Sequence, residues 1–212
     1  MLKTMKSSTK WLLLVLLVIG ALRSDAQQKS QTLTPQERDF AIKFLKETES
    51  GVFDKIKGLT KAQLAFKAAP DKWSVEDCVK HIASSETTLW AMGQEQLNQP
   101  SNPEKRADIK TTDQQLIAAV EDRAHKSKTF AALEPANAPF KDMDAALASF
   151  KENREKLINY LQNTKDDLRN HVAVLPVGTY DVYQFIMLIS AHTDRHTQQM
   201  EEVIKDPNFP KA

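Results

Sequence analysis

The chain has 212 residues, with 29 lysines and arginines against 28 aspartates and glutamates, for a net charge of +1. Near-neutral charge without a basic block argues against nucleic acid as a partner, and the only cysteine, Cys78, leaves no internal disulfide to form. Stability must come from a packed core of ordinary domain size, with or without help from a bound ion.

The opening "MLKTMKSSTKWLLLVLLVIGALRSDAQ" places Lys3, Lys6 and Lys10 before an apolar run from Trp11 to Leu22, followed by the small residues Ser24 and Ala26. This is the three-part pattern of a secretory signal cleaved after Ala26, with an apolar core too short to span a bilayer comfortably. An uncleaved N-terminal anchor is the alternative, and no cysteine follows the apolar run to suggest a lipoprotein. The expectation is therefore a signal peptide over 1–26 and a periplasmic or secreted protein with no membrane attachment after cleavage. The signal carries Lys3, Lys6, Lys10 and Arg23 against Asp25, so its removal leaves a slightly acidic chain. Residues 27–33 read as a mobile polar lead, 34–206 as one helical domain, and 207–212 as a C-terminal tail.

Within the domain, "TPQE" at 34–37 offers Thr34 as N-cap, Pro35 at the first helical position and Glu37 three residues after the cap. Phe40, Phe44 and Leu45 extend an apolar face toward Val52 and Ile56, and Gly58 suits the end of this helix. A connecting segment runs to Trp73. "SVED" at 74–77 then starts a second helix with Val75, Cys78, Val79, Ile82, Leu89 and Met92 inward. Pro100 and Pro103 make 98–106 a loop. Thr112 and Gln115 form a capping box for a third helix, and "EPANAP" at 134–139 breaks the chain again. A fourth helix spans about Asp142 to Leu161 with Leu147, Phe150, Leu157 and Tyr160 or Leu161 inward. "HVAVLPVGT" turns the chain into a fifth helix from about Tyr180 to Lys205, ended by "DPNFP". No convincing β alternation appears. Long helices joined by moderate loops predict an all-α bundle.

The last helix carries the chemistry. Val182, Phe185 or Ile186, Ile189, His192, His196, Met200 and Val203 recur at steps of three and four, which puts both histidines on the apolar face. Imidazoles at i and i+4 have Cβ atoms about 6 Å apart and can share one ion at about 2.0–2.1 Å. Buried histidines are costly without partners, and an ion satisfies both; a pair of hydrogen-bonded core histidines is the plainer reading. For a third ligand His81 is the best placed, one residue from the apolar stripe of the second helix. His125 lies in the charged run "EDRAHKSK" and reads as a surface residue, and His171 as a turn or cap. Cys78 and His81 form a CxxH pair, but a lone cysteine on an apolar face is ordinarily a small buried hydrophobe. Asp194 and Arg195 point sideways as solvated or supporting residues. Glu86 lies about 140° round the helix axis from His81 and does not read as a general base.

"FKAAPDKWSVEDCVKHIASSE" at 66–86 together with "SAHTDRHTQQM" at 190–200 resembles the DinB-like superfamily, whose pattern is a Trp-Ser pair before a helical histidine and an HxxxH near the domain's end. Trp73, Ser74 and His81 match the first part, and His192, Arg195, His196 and Gln199 the second. "LRNHVAVLPVGTYDVYQFI" is similar to the family's approach to its last helix. The resemblance covers about Thr34 to Val203. It implies a four-helix bundle with one additional helical segment in the connections, and a divalent transition metal, commonly zinc or nickel, held by His81, His192 and His196 with a position open to solvent. It also implies a homodimer.

Three histidines and an open position suit metal-activated water attacking a small ester, amide or related electrophile. Relatives that transfer low-molecular-weight thiols make thiol transfer an alternative, although such thiols belong to the reducing cytoplasm, which an exported protein leaves. A non-catalytic metal-dependent binding module and an ion serving folding alone are further readings. No GxSxG or HExxH supports catalysis independently, and the sequence marks no general acid or base.

Overall fold

Five of the six α-helices in the computed structural model, which describes residues 32–125, 128–175 and 178–211, begin at a capping box. They are α1 (Pro35–Ile56), α2 (Lys61–Ala65), α3 (Val75–Leu97), α4 (Asp113–Glu121), α5 (Met143–Asn163) and α6 (Val182–Ile204). In each box the cap oxygen accepts from the backbone N–H three residues on, and that residue's side chain returns to the cap, as at Thr34 with Glu37 and Ser74 with Asp77. Helix α5 starts on the Asp142 side chain alone. These caps satisfy N–H groups that no intrahelical carbonyl can reach. Short 3₁₀ turns occupy Pro103–Asp108, Ala131–Leu133 and Pro135–Asn137. No described helix is long and apolar enough to cross a membrane. The signal expected at 1–26 lies outside the described residues.

Helices α1, α3, α5 and α6 form the four-helix bundle: α1 and α3 each pack against both α5 and α6. Contacts fix the directions. Tyr183 at the start of α6 donates to the Glu37 carbonyl at the start of α1, and Lys55 meets Glu201 at their far ends, so α1 and α6 run the same way. Helices α3 and α5 also run together, with Asn153 on Thr87 and Tyr160 on Trp90. The N-terminal half of α3 meets the C-terminal half of α6 through the histidines, while Gly93 lies against Val182. The order is therefore up, down, down, up. Two parallel neighbours in succession require a long return connection, and residues 98–142 supply it, with α4 packed along α6.

The core divides into two apolar clusters. One gathers Leu45, Leu157, Leu161, Tyr183, Ile186 and Met187; the other gathers Val52, Cys78, Val79, Ile82, Phe150 and Met200. Between them lies an ion pair with no sequence signal. Arg154 is fully buried on α5 and Glu86 is 3 % exposed on α3. Arg154 donates Nε and Nη2 to the two Glu86 oxygens at 2.8 and 2.7 Å, Nη1 to the Leu45 carbonyl and Thr48 hydroxyl on α1, and Nη2 to Thr193 on α6. All five guanidinium donors are satisfied, and all four bundle helices contribute.

At the end where α1, α4 and α6 begin, Arg169 meets Glu37 at 2.7 Å, Asp113 at 2.7 Å and Asp181 at 3.1 Å, with its guanidinium 4.0 Å over the Tyr183 ring. One cation thus gathers an acidic residue from the first turn or cap of three helices.

Three expectations need correction. The segment before α6 is a β-hairpin, with β1 (Val172–Leu175) antiparallel to β2 (Gly178–Asp181) and Val172 opposite Asp181. Four-residue strands are too short to display an alternation, although the Val-rich run before the residues Pro-Val-Gly was its local signal in the sequence. The Asn102 side chain pairs with both the N–H and carbonyl of Val172, and Gly178, at φ +143°, lies under the Tyr180 ring. Second, the buried face of α1 is Ala41, Leu45, Thr48 and Val52, and Phe40 is 43 % exposed, because α5 and α6 meet the neighbouring stripe. Third, Leu33, assigned to the lead, packs into the core, and in the tail Phe209 stands edge-on to Phe66 while the Pro210 carbonyl accepts from Gln63.

Replacing Arg154 by Met strands the Glu86 carboxylate in the core, and we expect a loss of about 3–5 kcal/mol in urea unfolding. The double variant Glu86→Leu/Arg154→Met recovers most of that loss, since a similar volume of apolar side chain needs no counter-charge.

Candidate metal centre

Helices α3 and α6 cross so that His81, His192 and His196 face one another. His81 and His196 are buried, at 2 % and 6 % exposure, and His192 is half-buried. The His192 Nε2 lies 3.2 Å from the Nε2 of both His81 and His196. One atom from each of the three falls within 4.8 Å of the others. Two nitrogens bound tetrahedrally to one ion at about 2.0–2.1 Å stand about 3.3–3.4 Å apart, so the spacing suits a shared ion.

The outer ring nitrogens fix the tautomers. His81 Nδ1 is 2.8 Å from the Leu133 carbonyl, which can only accept, so Nδ1 carries the proton and Nε2 keeps its lone pair. His196 Nδ1 is likewise 2.9 Å from Gln199 Oε1, an oxygen that also accepts from Arg123. Two inward lone pairs then face His192 Nε2, which has at most one hydrogen to offer. Without a cation that single hydrogen cannot point along both 3.2 Å contacts, and a positive ion removes the conflict. Partners of this kind on the outer nitrogen are what orient metal-bound imidazoles.

Electrostatics agree. Burial is the largest influence on all three rings and holds each below the ordinary histidine range, with His192 lowered to about 3 and His196 also well down. The neighbouring imidazoles push His192 and His196 in the same direction. Neutral imidazole is the ligating form.

Trp73 closes this end of the bundle. Its ring stacks on His196 at 5.6 Å and 22° and lies 4.8 Å from His81. Ser74, beside it, caps α3 and so fixes where His81 falls on the helix. Arg195 donates to the carbonyls of Val120, Asp122 and His125, and Arg123 pairs with Glu202, so α6 ties down the chain leaving α4.

The other sequence candidates separate from the centre. His125 is a surface residue, with a side chain 90 % exposed beside Asp122. His171 holds a turn through the carbonyls of Asp167 and Gln99. Cys78 is fully buried in the second apolar cluster, where burial pushes its thiol far up, and it lies outside the histidine group. Asp194 accepts from Gln198. Glu86 is committed to Arg154. Sequence reasoning missed Ser85, whose hydroxyl lies 3.4 Å from His81 Nε2; its place four residues after His81, on the same helix face, was the available signal. The Leu133 carbonyl had no such signal.

The DinB superfamily model matches residues 45–200, which include all three histidines. A chain of Bacillus subtilis (strain 168), the uncharacterized protein YuaE, is 27 % identical over 152 residues, covering 71 % of this chain and 89 % of that one. The solved structure of YfiT from Bacillus subtilis, described as a probable metal-dependent hydrolase with an unusual four-helix bundle topology, superposes with a TM-score of 0.56 at 16 % identity, covering 82 % of this chain and 90 % of that one. With a family match running through most of the bundle and a shared fold, the chain belongs to the DinB superfamily.

Proposed function

We propose that the protein is an exported metal-dependent hydrolase acting on a small molecule, with His81, His192 and His196 as ligands to a divalent transition ion, zinc or nickel. One observation carries the reading: three inward Nε2 atoms at ligand spacing, two of them tied into the ligating tautomer from behind. The description of YfiT as a probable metal-dependent hydrolase supports the reaction class. The N-terminal pattern of basic, apolar and small residues supports export, and export favours hydrolysis over transfer to a cytoplasmic thiol.

An ion held by three neutral imidazoles with a position left open is a Lewis acid that lowers the pKa of bound water toward neutrality. The chain supplies the rest. Leu133 and Gln199 orient two of the rings. Trp73 lies over His81 and His196, and the buried setting keeps the imidazoles unprotonated. Glu86 is held by Arg154 and takes no part as a base. The second reading, a metal-dependent binding module without turnover, shares the same ligands and differs in yielding no product.

Protein purified without a polyhistidine tag should carry about one equivalent of transition metal by plasma mass spectrometry, and His192→Ala should carry none. Hydrolysis of model esters or amides should vanish on chelation and in His196→Ala; metal binding without any turnover would select the binding module. No uptake by wild type after incubation with divalent ions would sink the ligand assignment.

Metal-free protein should lose stability as the pH falls from about 6.5. The folded histidines are lowered, so over that range the unfolded chain takes up protons that the folded one refuses. The loss is complete only below the folded values, and thermal melts between pH 7.5 and 4.5 should show it reduced in His196→Gln.

A further inference from the structure

The hydroxyl of Ser85 has an arrangement that the histidine set alone does not explain. Ser85 is 1 % exposed and sits one turn after His81, facing the centre. Helical serine and threonine hydroxyls ordinarily bond the carbonyl four residues back. Thr87, Thr88, Thr193 and Thr197 all do so here, at 2.9–3.0 Å. Ser85 does not. Among the described residues its one hydrogen bond is to His81 Nε2, at 3.4 Å.

That nitrogen is the one an ion would take. With Nδ1 committed to Leu133, the Nε2 lone pair is the only acceptor His81 has, and it cannot serve Ser85 and an ion together. Once the site is loaded, a buried hydroxyl beside the ligand set loses its partner. A buried polar group left in that state is unfavourable, and of the two partners then open to it, the His81 carbonyl and an acceptor entering the centre, only the second lies on the side that the hydroxyl faces.

We infer that Ser85 is a positioning residue, donating its hydrogen to the oxygen or nitrogen acceptor of a small ligand that completes the three-histidine set. The inference rests on the metal reading above and extends it to the ligand. It assigns the incoming molecule a chemical class: a compact group with an acceptor atom directed at the ion and a second acceptor lone pair or atom directed at α3, as in a carboxylate, hydroxamate or ester carbonyl. Glu86, the next residue on α3, is locked by Arg154, so the helix is held in the rotation that keeps Ser85 facing the centre.

The test uses the full chain loaded with cobalt(II), whose visible absorption reports each ligand that joins the ion. Cobalt affinity is measured first, and acetohydroxamate is then titrated into wild type, Ser85→Ala and Ser85→Thr. Ser85→Ala removes one small buried oxygen and should fold and take up one cobalt with affinity within about threefold of wild type. Its Kd for acetohydroxamate should rise about tenfold, in line with the loss of one hydrogen bond to a charged group, and Ser85→Thr should restore most of the affinity. An unchanged acetohydroxamate Kd in Ser85→Ala overturns the inference. So does a matching loss of cobalt affinity with the probe's affinity per bound ion unchanged, because Ser85 would then support the ligand set alone. Failure of wild type to bind cobalt appears before any probe is added; it overturns the metal reading and this inference with it.

Discussion

Everything about the centre's geometry depends on how α3 and α6 are rotated about their own axes, and the Arg154–Glu86 pair sets that rotation. Glu86 is five residues after His81 on α3, and Thr193 is the residue after His192 on α6. Arg154 binds both, from a helix that packs beside α3 and lies diagonally across the bundle from α6. A guanidinium with five directed donors tolerates little angular error. Apolar packing alone would allow either helix to slip by part of a turn at modest cost, since Leu, Ile and Val have no direction to satisfy. The buried pair does not add much net stability for a charge taken out of water; its contribution here is phase. The face of α3 about 100–140° round its axis from Glu86 then presents Ser85 and His81 to α6.

The bundle order explains why the centre forms at one end. Because α3 runs against α6, the start of one meets the latter half of the other, and histidines far apart in sequence meet there. The same order places α3 parallel to α5 and forces the long return connection. That connection is used: Leu133 within it holds His81, and the segment after α4 is tied to α6 by Arg195 and Arg123. A bundle with short loops throughout would have no backbone carbonyl in this position.

The helices and the three histidines were legible because their signals are local and periodic. Caps such as Thr34, Ser74 and Thr112 are written within four residues, and the apolar stripe of α6 carries His192 and His196 with it. His81 followed from its neighbours Cys78 and Ile82, and the family pattern agreed. The β-hairpin escaped because four residues cannot establish a period of two. Arg154 escaped for another reason. An arginine between polar neighbours on an amphipathic helix reads as solvated, and only the arrival of Glu86, Leu45, Thr48 and Thr193 from three other helices makes its burial affordable. The error at Phe40 is of the same kind: a stripe one position to the side is equally apolar in sequence, and the packing of α5 and α6 decides between them.

Arg169 completes a pattern along the bundle. At one end it gathers Glu37, Asp113 and Asp181; in the core Arg154 gathers groups from the three other bundle helices. His192 and His196 lie about 17–22 Å further along α6 than Asp181, at 1.5 Å per residue. Arg154 reaches Thr193 on that stretch, but toward α3 the inward groups are imidazole nitrogens, and among the described residues no side-chain cation gathers them. Two of the three clusters are therefore closed from within the sequence, while the third is left to the surroundings. On the proposed reading, the order of that end becomes a variable set by metal supply, and the protein's working end is also the one whose rigidity the environment controls.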